Sequence, residues 1–179
     1  GEGVIFQGTI KQFRVGRENA TTKYLDILAA DGDIAYNFSV VNRTLAAGSS
    51  PQDRIKAATD AMTLNGVTPG YVLPATGGVL PRGKVLFGMA RAVIRQEAQN
   101  LGATWNINNG QVNVVPLTGY LPTEAVELTA MTGMIGLPEQ TNEGLRVKSL
   151  LNPRIIVGGL VRINNKSVNQ IVQANPAAA

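Results

Sequence analysis

The dipeptide Asn109-Gly110 lies between two runs of alternating apolar and polar residues, Thr104-Trp105-Asn106-Ile107-Asn108 and Gln111-Val112-Asn113-Val114-Val115. Asn-Gly is the strongest short hairpin signal, because a two-residue type I′ turn requires positive φ at both positions. The register set by that turn puts Ile107 opposite Val112 and Trp105 opposite Val114, so four apolar side chains share one face and the amides share the other. A lone hairpin with one apolar face is marginal in water, so something must cover it. Two helices are predicted for that role. The first begins at Ser49-Ser50-Pro51, where Ser50 can accept from the backbone N–H of Asp53 and Pro51 suits the first helical position. Its Ile55, Ala58 and Met62 share one face before Asn65-Gly66. The second is predicted to start near Gly83 and Lys84, with Leu86, Ala90, Val93, Ile94 and Leu101 on one side and Gly102 as terminator. Residues 49–116 therefore read as a small α+β unit of two helices and a hairpin.

On either side the chain reads as β. Val4 to Val15 and Thr21 to Ala30 are rich in β-branched, aromatic and alternating residues around the polar turn Gly16-Arg17-Glu18-Asn19, a second hairpin signal. Asp31-Gly32 then turns into a further strand over Ile34 to Phe38. Val67 to Arg82 holds three Pro and three Gly and is expected to be irregular. After Pro116, strands are expected over Ala125 to Ala130, Leu145 to Leu151 and Gly159 to Ile163. Residues 166–179 read as a mobile tail, and the last of them, Asn175-Pro176-Ala177-Ala178-Ala179, end without a cap or an apolar anchor. No internal repeat is evident. The chain opens on Gly and enters a strand directly, so it reads as a fragment or processed product.

At 179 residues and 44% hydrophobic content the chain can bury a real core. The absence of Cys and His removes disulfides, thiolate metal sites, the commonest zinc ligand and the commonest general base. No stretch approaches the roughly 20 apolar residues of a membrane helix, and no signal-peptide pattern opens the chain, so a soluble protein made in a cytosol is expected. The net charge is +4, yet the basic residues are spread out. Lys11, Arg14 and Arg17 lie early, and Arg146, Lys148, Arg154, Arg162 and Lys166 lie late. They read as solvated sheet faces in preference to a phosphate-tracking groove, and no specific nucleic acid is expected.

Three patterns could carry chemistry. Gly78-Val79-Leu80-Pro81-Arg82-Gly83-Lys84 has the spacing of a phosphate-binding loop, but Val85 stands where Ser or Thr must hold Mg²⁺, so it reads as a turn leading to a helix N-terminus. Glycoside cleavage needs two carboxylates across a cleft, for which Asp26, Asp31, Asp33, Glu124, Glu127, Glu139 and Glu143 are available, though most read as solvated turn or strand-edge acids. Ser39, Ser49, Ser50, Ser149 and Ser167 have no His to activate them and read as turn and cap residues. Met131 and Met134, near Ile135 and Leu137, read as core fillers first and as a subunit contact patch second. No catalytic residue, cofactor site or metal site is assigned.

The order and wording of several strings resemble the baseplate hub proteins of contractile-tailed phages and prophages, the late-control-type and Mu-like group. The carriers are Asp26-Ile27-Leu28-Ala29-Ala30-Asp31-Gly32-Asp33 with Tyr36-Asn37, then Leu80-Pro81-Arg82-Gly83-Lys84-Val85-Leu86, then Val114-Val115-Pro116-Leu117. The strongest are Thr132-Gly133-Met134-Ile135-Gly136-Leu137-Pro138-Glu139-Gln140-Thr141, Gly144-Leu145-Arg146-Val147 and Leu150-Leu151-Asn152-Pro153-Arg154 before Gly158-Gly159. The resemblance implies a mainly β, α+β protein: a tail-tube-like antiparallel β-barrel, residues 1–48 with 117–165, interrupted by an inserted α+β domain, residues 49–116. It implies a non-enzymatic virion protein of the tail baseplate, made in the bacterial host cytoplasm. Its full-length form would be a homo-trimer that joins the six-fold tail tube protein to the three-fold spike protein, with no membrane insertion by this chain. A leading strand and a second tube-like domain would lie outside this chain. A tail-associated peptidoglycan hydrolase and a general β-rich binding module are the alternatives.

Overall fold

The computed structural model describes residues 3–74, 77–142 and 144–163. They are mainly β, 42% strand against 19% helix, in several small sheets with no closed barrel among the described residues. Contacts divide the chain into two compact units, one spanning Phe6–Leu121 and one joining the first five residues to the chain from Pro122 onward. The contact boundary thus falls after Leu121 and not at Pro116, and residues 48 and 49 lie inside one unit. The predicted tail at 166–179 lies outside the described residues.

The larger unit runs β1 (Thr9–Arg17), β2 (Lys23–Ala30), α1 (Asp33–Phe38), β3 (Val40–Leu45), α2 (Pro51–Thr63), β4 (Thr68–Val72), β5 (Lys84–Met89), α3 (Ala90–Asn100), β6 (Ala103–Asn108) and β7 (Gln111–Pro116). The Asn109-Gly110 hairpin forms as read. Both turn residues have positive φ, 50° and 70°, and Ile107 pairs with Val112 and Trp105 with Val114. Val112 and Val114 are fully buried in one core with Ile55, Ala58 and Met62 of α2 and Ala90, Ile94 and Ala98 of α3. Helix α2 starts where expected. Its Ser50 Oγ accepts from the Asp53 N–H at 3.2 Å, and the Ser50 N–H donates to Asp53 Oδ2 at 2.8 Å. That backbone bond, with the Ser50 hydroxyl beside it, holds the Asp53 carboxyl below its usual range. The two bonds complete a capping box.

Three predictions fail, each for a local reason. Residues 33–38 are helix, not strand. The alternation of Ile34, Tyr36 and Phe38 suggested a strand, but Gly32 takes a left-handed conformation and its carbonyl accepts from Tyr36 N–H at 2.8 Å. Asn37 then donates to Asp33 one turn back at 2.9 Å. Gly32 also lies so close to Ile107 that any side chain there would collide with it. Residues 84–89 form a strand, and the helix starts only at Ala90. Leu86 fits both a helical and an alternating period, and pairing decides: β5 runs antiparallel to β3 from Val40–Met89 to Leu45–Lys84. That pairing also ties β3, placed with the barrel segment by its sequence, to the α+β unit. Residues 68–72 are a strand despite Pro69 and Gly70, because β4 pairs parallel to β7 with a register shift after Pro69. Asn113 fills the shift, its Oδ1 accepting from Tyr71 N–H at 2.9 Å, and Gly70 leaves it room.

In the smaller unit, β8 (Val126–Leu128) pairs parallel with β11 (Val161–Ile163), and β9 (Met134–Thr141) pairs antiparallel with β10 (Gly144–Ser149). Strand β9 had no strand signal in the sequence reading. It carries Gly136 at positive φ and Pro138 within a register irregularity, where a missing ladder N–H is tolerated. Thr129 and Thr132 cap a short 3-10 turn between β8 and β9.

Helices α2 and α3 are joined by a buried ion pair. Arg54 Nε stands 2.9 Å from Glu97 Oε1, with side chains 8% and 2% exposed, and Lys84 Nζ reaches the same oxygen at 3.3 Å. Arg54 also donates to the Ser49 carbonyl at 3.2 Å. The Arg54–Glu97 approach is an ion-pair contact without hydrogen-bond alignment, and Glu97 Oε2 has no partner. Removing one member of such a pair strands its partner's charge in the core. Glu97→Ala is therefore expected to cost about 3–5 kcal/mol in urea unfolding. A cost under ~1 kcal/mol, the range of exposed pairs, would show that water reaches this pair in solution.

Candidate assembly surface

The feature that sets this molecule apart from a closed globular domain is the apolar surface left open on two of its two-stranded sheets. In the β1–β2 hairpin, Phe13 pairs with Ile27 and Val15 with Leu25, and beyond an irregularity at Lys11 Ile10 pairs with Ala29. Directly paired residues lie on the same face, so the extra residue in β1 keeps Ile10 aligned with Phe13 and Val15. Six apolar side chains thus line one face, and the five larger ones are exposed by 51% (Ile27) to 70% (Val15). The other face carries Gln12, Arg14 and Asp26, together with the exposed Leu28 and Tyr24. A hairpin usually turns such a face to its core; this one leaves it in solvent. Lys11 ties the strand to α1 through Asp33 at 2.7 Å.

The β3–β5 sheet repeats the pattern. Val41 and Leu86 point into the core, while Val40, Val85 and Phe87 on the opposite face are exposed, Phe87 by 77%. In the smaller unit Ile135, Leu137, Leu145, Leu150 and Leu151 are exposed as well. Met131, read as a core filler, is 94% exposed, while Met134 is half-buried. Single exposed apolar residues are ordinary, but contiguous apolar faces on soluble proteins mark interaction surfaces. Fully burying the five larger side chains of the β1–β2 face would contribute on the order of 10 kcal/mol, enough to offset much of the cost of association.

The candidate chemical motifs do not assemble into a site. Gly78–Lys84 leads into strand β5 and not into a helix, and Lys84 is turned to Glu97. The acids are separately engaged. Asp31 accepts from Gly110 N–H at 3.1 and 3.2 Å, Asp33 binds Lys11, and Glu124 binds Arg154 at 2.7 Å. Asp26 pairs in register with Arg14, and Glu139 with Arg146. Glu143 and Ser167 lie outside the described residues. Among the serines, Ser50 is a cap as expected. Ser39 is instead a buried joint: its Oγ accepts from Asn65 at 2.9 Å and its carbonyl from Ala90 N–H at 2.9 Å, seating the start of α3. Among the described residues no group of His, Cys, Asp and Glu could hold a metal ion, and no helix is long and apolar enough to cross a membrane.

The sequence showed the apolar strings of β1 and β2, but not that their shared face would be left open. No family model matches the chain, and no curated protein matches it.

At concentrations too dilute for self-association, the double substitution Phe13→Ser with Leu25→Ser is expected to leave unfolding stability within ~0.5 kcal/mol, as for exposed positions, while reducing binding of the dye ANS. A loss above about 2 kcal/mol under those dilute conditions would mean that the face packs within a single copy.

Proposed function

We propose that this chain is a structural component of a contractile phage-type tail, a baseplate hub protein whose work is done by its surfaces. In this reading three copies meet one another, the six-fold tube protein and the three-fold spike protein, and the chain resides in the virion baseplate as a non-enzymatic assembly part. The observation that carries the reading is the open apolar face of the β1–β2 hairpin. A stable monomer has no use for it, whereas a ring of subunits buries it at each junction. The outer face of β3–β5 supports the same conclusion. The order of the sequence strings from Asp26 to Gly159 gives the reading its family. The family implies a tail-tube-like barrel in the assembled protein.

A closed ring of this kind has a defined stoichiometry, unlike non-specific association through sticky faces. Light scattering of the purified chain across a concentration series is expected to give a molar mass of three copies, reverting to one copy in Val15→Glu with Leu25→Glu. A mass of one copy at every concentration, or polydisperse growth that charge on this face leaves unchanged, would overturn the proposal.

A further inference from the structure

A second open feature lies in the larger unit and serves a different purpose. Strand β6 is the end strand of the β4-β7-β6 sheet, so among the described residues one of its edges has no neighbour. The type I′ turn makes Asn108 and Gln111 a hydrogen-bonded pair, which leaves the N–H and C=O of Trp105 and Ile107 pointing away from β7. The other side of β7 is consistent with this alternation: the carbonyl of Val114, opposite Trp105, accepts from Leu73 N–H on the far side at 3.0 Å. The edge lacks several of the usual protections. It contains no Pro or Lys, and its register is regular from Ala103 to Asn108.

A cleft of about 670 Å³ opens along this edge, lined by the continuous run from Ala103 to Ile107 together with Asp31, Tyr36, Arg95 and Gln99. That volume lies within the range of binding clefts. Its aromatic rings are already engaged. Tyr36 stacks on Trp105 with centroids 5.8 Å apart, and the Arg91 guanidinium lies 5.0 Å from the Tyr36 ring centre. Tyr36 is therefore already partnered by a ring and by a cation. What the cleft offers is backbone. Its charge is uneven as well: among the described residues Arg95, which lines the cleft, bonds only the neutral Tyr36 hydroxyl at 3.2 Å. The one lining carboxylate, Asp31, is held by Gly110 N–H.

We propose that the cleft takes an extended peptide segment of another protein, added as a fourth strand on the edge of β6. Backbone bonds to Trp105 and Ile107 supply the affinity. Alternating apolar side chains of the peptide continue the face of Trp105 and Ile107, and an acidic side chain at one end meets Arg95.

The test uses the intact chain and the peptide acetyl-Glu-Val-Thr-Val-Thr-Val-amide. Trp105 is the sole tryptophan, so its fluorescence reports on the cleft without a label. A saturable change is expected below about 1 mM, with slowed amide exchange confined to Trp105 and Ile107 among the β6 amides. N-methylation of alternate peptide amides should abolish binding in one of the two possible registers, and Arg95→Glu should weaken it at least about tenfold. Arg95 is exposed, so this variant should fold, and unchanged tryptophan emission of the free protein would verify that. No saturation by about 1 mM, equal binding of both N-methylated peptides, or protection elsewhere would overturn the proposal. So would protection of Trp105 and Ile107 that rises with protein concentration alone, since that would give the edge to a second copy.

Discussion

The ion pair between Arg54 and Glu97 links α2 to α3 inside the core, and the rest of the larger unit is arranged around that link. The two helices form the roof over the β6–β7 hairpin, and Val112 and Val114 have no contact with solvent because Ile55, Met62 and Ile94 lie above them. A buried pair is a poor source of stability, since desolvation consumes most of its Coulombic gain. Its contribution here is positional. Lys84, at the head of β5, shares the same Glu97 oxygen, so a single carboxylate sets two helices and the entry of a strand. Ser39 performs a smaller version of the same task at the base of α3, where its carbonyl receives the first amide of the helix.

Outside this core the balance of surface changes. The β1–β2 hairpin and the outer face of β3–β5 display apolar side chains that a self-contained domain would bury. A two-stranded hairpin without a packed face is barely stable alone, and in the proposed assembly neighbouring subunits supply that cover. The same reasoning does not extend to the β6 edge, where the open groups are backbone and the cleft is half polar. The molecule thus presents flat apolar faces suited to neighbouring subunits and one narrow slot suited to a strand.

How much of this was legible in the sequence differed by element. Asn109-Gly110 fixed a register that the structure reproduces pair for pair, and Ser50-Pro51 with Asp53 located the start of α2, because both signals are local and stereochemical. Leu86 was ambiguous because it satisfies a helical and an alternating period together, and only its pairing partner Arg43, far away in sequence, decides. Helix α1 was hidden behind an alternation of large apolar residues, although Asp33 and Asn37 one turn apart were the available clue. Strand β4 could not be read because its irregularity is filled by Asn113 from another strand. No site was assigned from the sequence, and the apolar strings that form the assembly face were noted only as strands. Exposure is a tertiary property, and a run such as Phe13 to Val15 reads the same whether its face meets a core or a neighbour.

The claim that the β1–β2 face is an assembly surface is tested most directly by amide hydrogen exchange across Thr9–Ala30 over a wide range of protein concentration. The account predicts that these amides become strongly protected as subunits associate, with the amides of Ile10, Phe13, Val15, Leu25 and Ile27 slowing together while those of α2 and α3 stay constant. Exchange in β1 and β2 that is the same at every concentration would contradict it.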